Sequence, residues 1–333
     1  MVNITMNDVA REAGVSQSTV SAVLNNNPKI KIARKTRERI QSTVKKLGYR
    51  PNSAAKALKS RNSFTIGIIA ENIATSPFAG DIIKGAQHVA GSSGRTIMVM
   101  DTEGNKKAMG SALEFMLEKQ VEGILFASMY SREINLPKDF KTVRTVMVNC
   151  FGTESCYPSV IPDDRWGGYF VTRTFIAKNH RRIALINGES SFHAARERLV
   201  GYQSALKEAN VSYESNLVSF GSWWPENGYD NARRLMKIPN PPTALFCGND
   251  RIAIGAMMAV KELGINVPKD VAVIGYDGQE IAGHLSPALT TFTIPHYKMG
   301  VWGIETLLGI KNDPDESYPV VKVKGKMIPG ASC

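Results

Sequence analysis

The chain is predicted to be an α/β protein with a short all-α head, and three observations lead there. Its positive charge is concentrated: residues 1–63 hold 13 Lys and Arg against 3 Asp and Glu, a net of +10, whereas the other 270 residues hold 28 against 27. That basic head carries helix caps and turn glycines at helical spacing, which a disordered tail lacks. From Phe64 onward, short continuous apolar runs alternate with helical stretches, the pattern of parallel strands covered by helices on both faces. A basic head on an electrically balanced body suggests a polyanion-binding module joined to something that senses or catalyses.

In the head, Thr5 suits the cap of a first helix, with Asp8 at N3, where a carboxylate favours the free amides of the opening turn. That helix runs to Ala13 and presents Val9, Ala10 and Ala13 on one side; Gly14-Val15 then makes a tight exit. Ser16 caps a second helix in which Val20, Val23 and Leu24 face inward, leaving Gln17, Ser18 and Ala22 on the opposite, exposed face. Two short helices, a glycine turn and small polar side chains opening the second helix predict a helix-turn-helix. A third helix carries Ile40, Val44 and Leu47 on one face and ends at Gly48.

The run Asp8-Val9-Ala10-Arg11-Glu12-Ala13-Gly14-Val15-Ser16-Gln17-Ser18-Thr19-Val20-Ser21 resembles the opening of the lactose-repressor (LacI–GalR) family of bacterial transcription regulators. The likeness continues through Thr36–Ile40 and Leu47-Gly48-Tyr49, then into Arg50-Pro51-Asn52-Ser53-Ala54-Ala55-Lys56-Ala57-Leu58, which is similar to the family's hinge. Weaker similarity covers nearly the whole remaining chain. The start of the third helix departs from the family: Ala33-Arg34-Lys35-Thr36 stands where a serine cap and acidic residues are usual. Cations there oppose the helix dipole and the cap is lost, while phosphate-seeking charge is gained.

The resemblance implies a set of DNA contacts. Gln17 and Ser18 fall where family members reach base edges; Gln suits adenine N6 and N7, and Ser is permissive. Ala22 offers only a methyl. Thr5 and Ser16 join the contacting set, and Thr19, Ser21, Asn25 and Asn26, with Arg34, Arg37 and Tyr49, are cast as phosphate contacts, which position without specifying sequence. Asn52 can cap a hinge helix over 53–59, too short to be stable alone in water. In the family, two such hinges lie side by side in the minor groove. Leu58 matches the wedging leucine, with Ala55 one turn earlier and Lys59 beside it.

In the body, runs at 64–70, 96–101, 123–127 and 145–149 make one strand set, and runs at 183–186, 243–247 and 271–275 a second. Two sets predict two lobes, with Ser60–Ser63 as a linker from the head. A first passage between lobes is placed near Pro162-Asp163-Asp164. Leu289–Thr293 and the helix after Pro295 are read as a return to the first lobe, and Pro319–Lys324 as leading back to the second. The expected division is 1–50 for the helix-turn-helix domain, 51–63 for hinge and linker, and 64–333 for the core. Within the core, lobe 1 spans about 64–162 and 293–317, and lobe 2 about 163–292 and 318–333. The resemblance implies a periplasmic-binding-protein-like core, with its ligand at the carboxyl ends of the strands. Asn149, Asn249-Asp250 and Asp277 lie just past strand ends; Arg198 matches the family's ligand-clamping arginine, Trp223 an aromatic platform, and Phe78 and His296 further effector positions. Acceptors, an arginine fork and a stacking ring make a sugar site chemically sensible.

Composition bounds the rest. With 43% hydrophobic and 21% charged residues the chain is ordinary for a globular protein, and no run approaches 18 apolar residues. The N-terminus shows no apolar leader, so a cytoplasmic location is expected. Cys150, Cys156, Cys247 and Cys333 lack metal-ligand spacing and are read as reduced structural thiols; no metal and no cofactor is expected. The first strand is followed by Glu71-Asn72-Ile73-Ala74, without a glycine-rich phosphate loop, and no nucleophile elbow appears, so an enzyme is not expected. The reading is a homodimeric regulator of a pseudo-palindromic operator, a repressor of sugar-utilisation genes released by a sugar; the C-terminus shows no appended heptad helix. A purine- or sugar-phosphate-responsive corepressed or global regulator, an accessory-protein corepressor, and more distantly a sugar-transport binding protein stay open.

Overall fold

The computed structural model describes residues 4–24, 30–49, 63–73, 80–153, 156–309 and 317–333. The chain divides into two units, Met1–Ser63 and Phe64–Cys333.

In the first unit, α1 (Met6–Glu12), α2 (Gln17–Leu24) and α3 (Arg34–Leu47) enclose a core of Val9, Ala10, Ala13, Val20, Val23 and Ile40. Thr5 caps α1 in a reciprocal box: Asp8 N–H donates to its hydroxyl at 3.3 Å and its own N–H to Asp8 Oδ2 at 3.0 Å. Ser16 Oγ accepts from Thr19 N–H at 3.2 Å and caps α2. α3 begins at Ala33 with no side-chain cap and no acid in its first turn. It ends at Gly48, whose φ of +64° suits glycine, with Gly48 N–H on Lys45 O and Tyr49 N–H on Val44 O. That pair of bonds is a Schellman stop, which brings the residue after the glycine onto the helix's apolar face.

The same motif corrects one expectation. Tyr49, cast as a phosphate contact, sits with its ring in the head core beside Val44. Ala22 is corrected as well: it was placed on the exposed face of α2 but is 5% exposed. On a helix of eight residues, a lone methyl off the apolar stripe is readily covered by larger neighbours.

Among its described residues the second unit holds two six-stranded sheets. The first runs β11-β5-β4-β3-β1-β2, from β1 (Thr65–Glu71), β2 (Thr96–Asp101), β3 (Ile124–Glu133), β4 (Thr145–Phe151), β5 (Ser159–Pro162) and β11 (Val320–Val323). The second runs β12-β10-β9-β8-β6-β7, from β6 (Ile183–Asn187), β7 (Val218–Phe220), β8 (Ala244–Cys247), β9 (Ala272–Asp277), β10 (Thr290–Thr293) and β12 (Met327–Ile328). Among the described residues all strand pairings are parallel except β10 with β12.

Helices cover both faces of each sheet, which is why the strands read as unbroken apolar runs. Ile66, Ile68, Val146 and Val148 face α4 (Gly80–Ser92) and α10 (His296–Gly309), while Ile69, Phe126 and Met147 face α5 (Lys106–Glu118). In the second sheet, Ile183, Leu185 and Phe246 pack with α6 (Asp164–Ala177) and α7 (His193–Glu208). Ile186, Leu245 and Val273 pack with α8 (Pro225–Leu235) and α9 (Asp250–Glu262). Each such fully buried side chain contributes about 1.5–3 kcal/mol before entropy is charged against it. Cys150 and Cys247 are buried, unpaired thiols whose ionisation burial pushes up.

The crossings between sheets differ from the expected ones. Thr290–Thr293 pairs with β9, so Leu289–Thr293 closes the second lobe and the return begins after it. Val320–Val323 pairs with β5 in the first sheet, so the segment from 318 does not yet belong to the second lobe; the last crossing falls between Val323 and Met327. Short strands at crossings carry little periodicity, and their sheet is decided by which edge is free. The crossings lie side by side, with Asp163 N–H on Val323 O at 2.9 Å and Thr293 N–H on Lys326 O at 2.8 Å.

Candidate functional site

A cavity continuous with solvent opens at the carboxyl ends of both sheets, where ligands of open α/β folds bind. Met129, Tyr130, Ser131 and Asn149 line it from the first lobe and Phe192, Ala194, Arg198, Trp223, Asn249, Arg251 and Asp277 from the second; Pro162, Asp164 and Ile294 lie at the crossings. Five of the seven effector residues expected from the sequence are therefore brought together: Asn149, Arg198, Trp223, Asn249 and Asp277. His296 is buried at the start of α10, outside the lining; burial, and next the charge of Arg198, push its imidazole down to about 4. Phe78 lies outside the described residues.

Arg198 is the best-held group. Its Nε donates to Asp164 Oδ1 at 2.9 Å and its Nη1 to Gly248 O, and its guanidinium lies 3.7 Å from the Tyr276 ring centre and 5.4 Å from that of Trp223. Burial works against the charge, but Asp164 and the neighbouring Tyr276 and Asp277 outweigh it and hold the guanidinium above its ordinary value. A cation fixed on four sides offers its remaining N–H groups in one orientation.

The other predicted residues divide by role. Asn249 caps α9, its Oδ1 accepting from Ile252 N–H at 2.8 Å and its Nδ2 donating to Trp223 O at 3.1 Å. Asp250 is a tie: Thr291 Oγ1 donates to it at 2.5 Å and Gln279 N–H at 2.7 Å, and burial followed by the charge of Asp277 pushes it up to about 8. Asp277 has φ +102°, rare for a non-glycine residue, and burial pushes its carboxyl up to about 6. Trp223 is the packed member of its pair, with Phe192 edge-on at 6.1 Å, whereas Trp224 is 56% exposed beneath Arg251 at 4.5 Å.

Tyr130, Ser131, Asp164, Phe192 and Arg251 were missed. Arg251 left a faint sign, being a cation in a helix's first turn, where the dipole disfavours it. Tyr130 and Ser131 fall in β3 past its apolar run, and Asp164 and Phe192 at helix starts; none carries a local pattern.

In the head, Gln17 and Ser18 are exposed at the start of α2, and Thr19 and Ser21 half-exposed beside them. Thr5 and Ser16 hydroxyls serve as helix caps. Of the cations, Arg34 pairs with Glu38 at 2.7 Å and Lys46 with Glu12 at 2.8 Å. Asn25, Asn26, Asn52, Ala55, Leu58 and Lys59 lie outside the described residues. Among the described residues no helix is long and apolar enough to cross a membrane.

Residues 5–52 match the model of bacterial regulatory proteins of the lacI family, and residues 172–333 that of the periplasmic binding protein-like domain. The chain is 34% identical over 308 residues to the ribose operon repressor of Escherichia coli strain K12, spanning 91% of this chain and 92% of that one. It is 31% identical over 334 residues to the HTH-type transcriptional repressor PurR of Photobacterium profundum, 97% of each. Among solved structures, it is similar to the lac repressor dimer bound to operator and the anti-inducer ONPF, with a TM-score of 0.80 at 24% identity over 99% of this chain and 98% of that one, a likeness of fold.

Proposed function

This chain belongs to the lacI family of bacterial regulatory proteins, and on that premise we propose that it is a homodimeric, cytoplasmic, non-enzymatic repressor that a neutral sugar releases from a pseudo-palindromic operator. The observation that carries the effector class is the charge balance of the cavity. Arg198 and Arg251 stand against Asp164 and Asp277, with rings of Tyr130, Phe192 and Trp223 on the walls. Such a site suits a polyhydroxylated ring better than a phosphate, which would need an excess of cations. The ribose operon repressor among the relatives supports the same class. PurR supports a second reading, a purine base between the aromatic walls.

In this reading Gln17 and Ser18 read bases while Thr19, Ser21, Asn25, Asn26, Arg34 and Arg37 hold phosphates, and Leu58 wedges the minor groove with Asn52, Ala55 and Lys59 about it. A sugar bridging Arg198 and Asp277 to Asn149 favours one lobe arrangement, and shifts the DNA-binding equilibrium only by its differential affinity for the two states. A thermal-shift panel of neutral sugars, sugar phosphates and purine bases, followed by operator release measured by fluorescence anisotropy, tests this. A neutral sugar is expected to raise the melting temperature and release DNA. Stabilisation by purines alone, with tighter DNA binding, would replace it with the corepressed reading.

A further inference from the structure

The first-lobe wall of the cavity is built from an irregularity in β3. Between Ala127, paired with Val148, and Arg132, paired with Cys150, four residues of β3 stand opposite the single residue Asn149 of β4. A bulge of this kind ends regular pairing and re-aims side chains, and three of its residues, Met129, Tyr130 and Ser131, line the cavity.

Two buried side chains hold it. Asn149, itself at φ +56°, donates from Nδ2 to Ser128 O at 3.0 Å and to Met129 O at 2.9 Å, supplying the partners that the lost ladder cannot. Glu71, at the end of β1, clasps both ends: Ser128 Oγ donates to its Oε2 at 3.0 Å and Arg132 Nη2 to its Oε1 at 2.5 Å. Between these anchors, Ser131 is 5% exposed and its hydroxyl has no partner among the described residues; the Oδ1 of Asn149, 2% exposed, has none among them either. Buried polar atoms are seldom left in this state.

Resting on the sugar-effector reading above, we infer that Ser128–Arg132 is a preorganised specificity segment. Ser131 Oγ and Asn149 Oδ1 take one ligand hydroxyl, and Glu71 is a positioning residue that touches no ligand. A donor and an acceptor fixed on the same cavity wall distinguish a sugar from its epimer, because the wrong configuration leaves both atoms unpaired. Ligand class then belongs to the second-lobe clamp, and stereochemistry to the bulge.

The test uses the full-length protein, isothermal titration, and the four D-aldopentoses with D-glucose, D-galactose and D-allose as probes. Ser131→Ala is expected to weaken the preferred sugar about tenfold while changing its disfavoured epimer little. Glu71→Gln keeps an acceptor for Ser128 but loses the carboxylate facing Arg132; it should narrow the epimer ratio and speed hydrogen exchange at 128–132 without ligand. Glu71→Ala should narrow the ratio further. Sugar binding that Ser131→Ala leaves unchanged across all epimers overturns the inference alone, as does an unaltered epimer ratio in Glu71→Gln. A wild-type protein that binds none of these probes overturns the sugar reading and the inference with it.

Discussion

Arg198 and Asp164 meet at 2.9 Å with their side chains 4% and 1% exposed, tying the middle of α7 to the first residue of α6, where the chain has just crossed between lobes. The group that faces the cavity is thereby anchored to the crossing itself. Asp164 is itself next to Asp163, whose N–H bonds to Val323 O at the last crossing. This pair gives a direct covalent and hydrogen-bonded route from the cavity to the crossings.

Breaking that pair from one side should be costly. Asp164→Asn leaves a buried guanidinium without its counter-charge and is expected to destabilise the body by about 3 kcal/mol. Urea unfolding of the variant checks this, with the slope against urea unchanged if the folded state keeps its compactness. A loss below about 1 kcal/mol would mean that Gly248 O and the flanking rings suffice to hold the charge.

The pH response of stability should carry the mark of Asp250. Burial and the charge of Asp277 raise its folded-state value to about 8, above an unfolded value near 3.8. The folded state therefore binds more protons than the unfolded between those values, and this residue's contribution, fully present at low pH, is lost as pH rises towards 8. Asp250→Asn removes that titration. Melting temperatures of wild type and variant, compared from about pH 5 to about pH 8.5, should move apart in the variant's favour as pH rises. A difference that stays constant over this range would sink the assignment.

Effector affinity should depend on Asp277 in the opposite sense. Burial pushes its carboxyl up to about 6, so an ionised acceptor is available above that value and lost below it. Titration of the bound sugar at about pH 5 and about pH 7.5 should show weaker binding at the lower pH, and Asp277→Asn should flatten the difference.

The uncapped start of α3 is a position where stability can be gained. Ala33 has φ −56° and ψ +142°, outside the helical region as a cap requires, and offers no side-chain acceptor. Ala33→Ser is expected to stabilise the helix by about 1 kcal/mol. Slower amide exchange in the first turn of α3, measured in the full chain, is the readout.

Binding to DNA should fall steeply with salt, as several phosphate contacts require, and a flat dependence would count against the whole head assignment. Using an operator obtained by selection from random duplexes, Gln17→Ala is expected to cost about 1–3 kcal/mol of discrimination at one base pair. Leu58→Ala should weaken the selected site far more than random duplex. Equal losses on both would remove the wedge.

Much of this protein is written locally. Thr5 with Asp8, Ser16 with Thr19, and the glycines at 14 and 48 are features of a few consecutive residues, and each appears in the structure as the cap or stop its chemistry predicts. The seven predicted strands were legible as apolar runs, and those inside the sheets owe this to the helices on both faces, which leave a strand no polar side. Among the described site residues, Asn149, Asn249 and Asp277 were legible as polar residues just past strand ends and Arg198 and Trp223 through resemblance to a family, and the fold gathers them about one cavity.

What the linear order left undecided depends on contacts between distant segments. Val320–Val323 joins the first sheet because β5 presents a free edge there, a fact absent from its own four residues. Tyr49 turns inward because the Schellman stop lays it on Val44. Asn249 proves to be a helix cap as well as a cavity residue, and Asp164 becomes the counter-charge of a side chain 34 positions away. The bulge at Ser128–Ser131 exists only because β4 offers one residue against four. Short-range chemistry sets which elements form; burial, edge pairing and the matching of buried charges set which of their side chains meet.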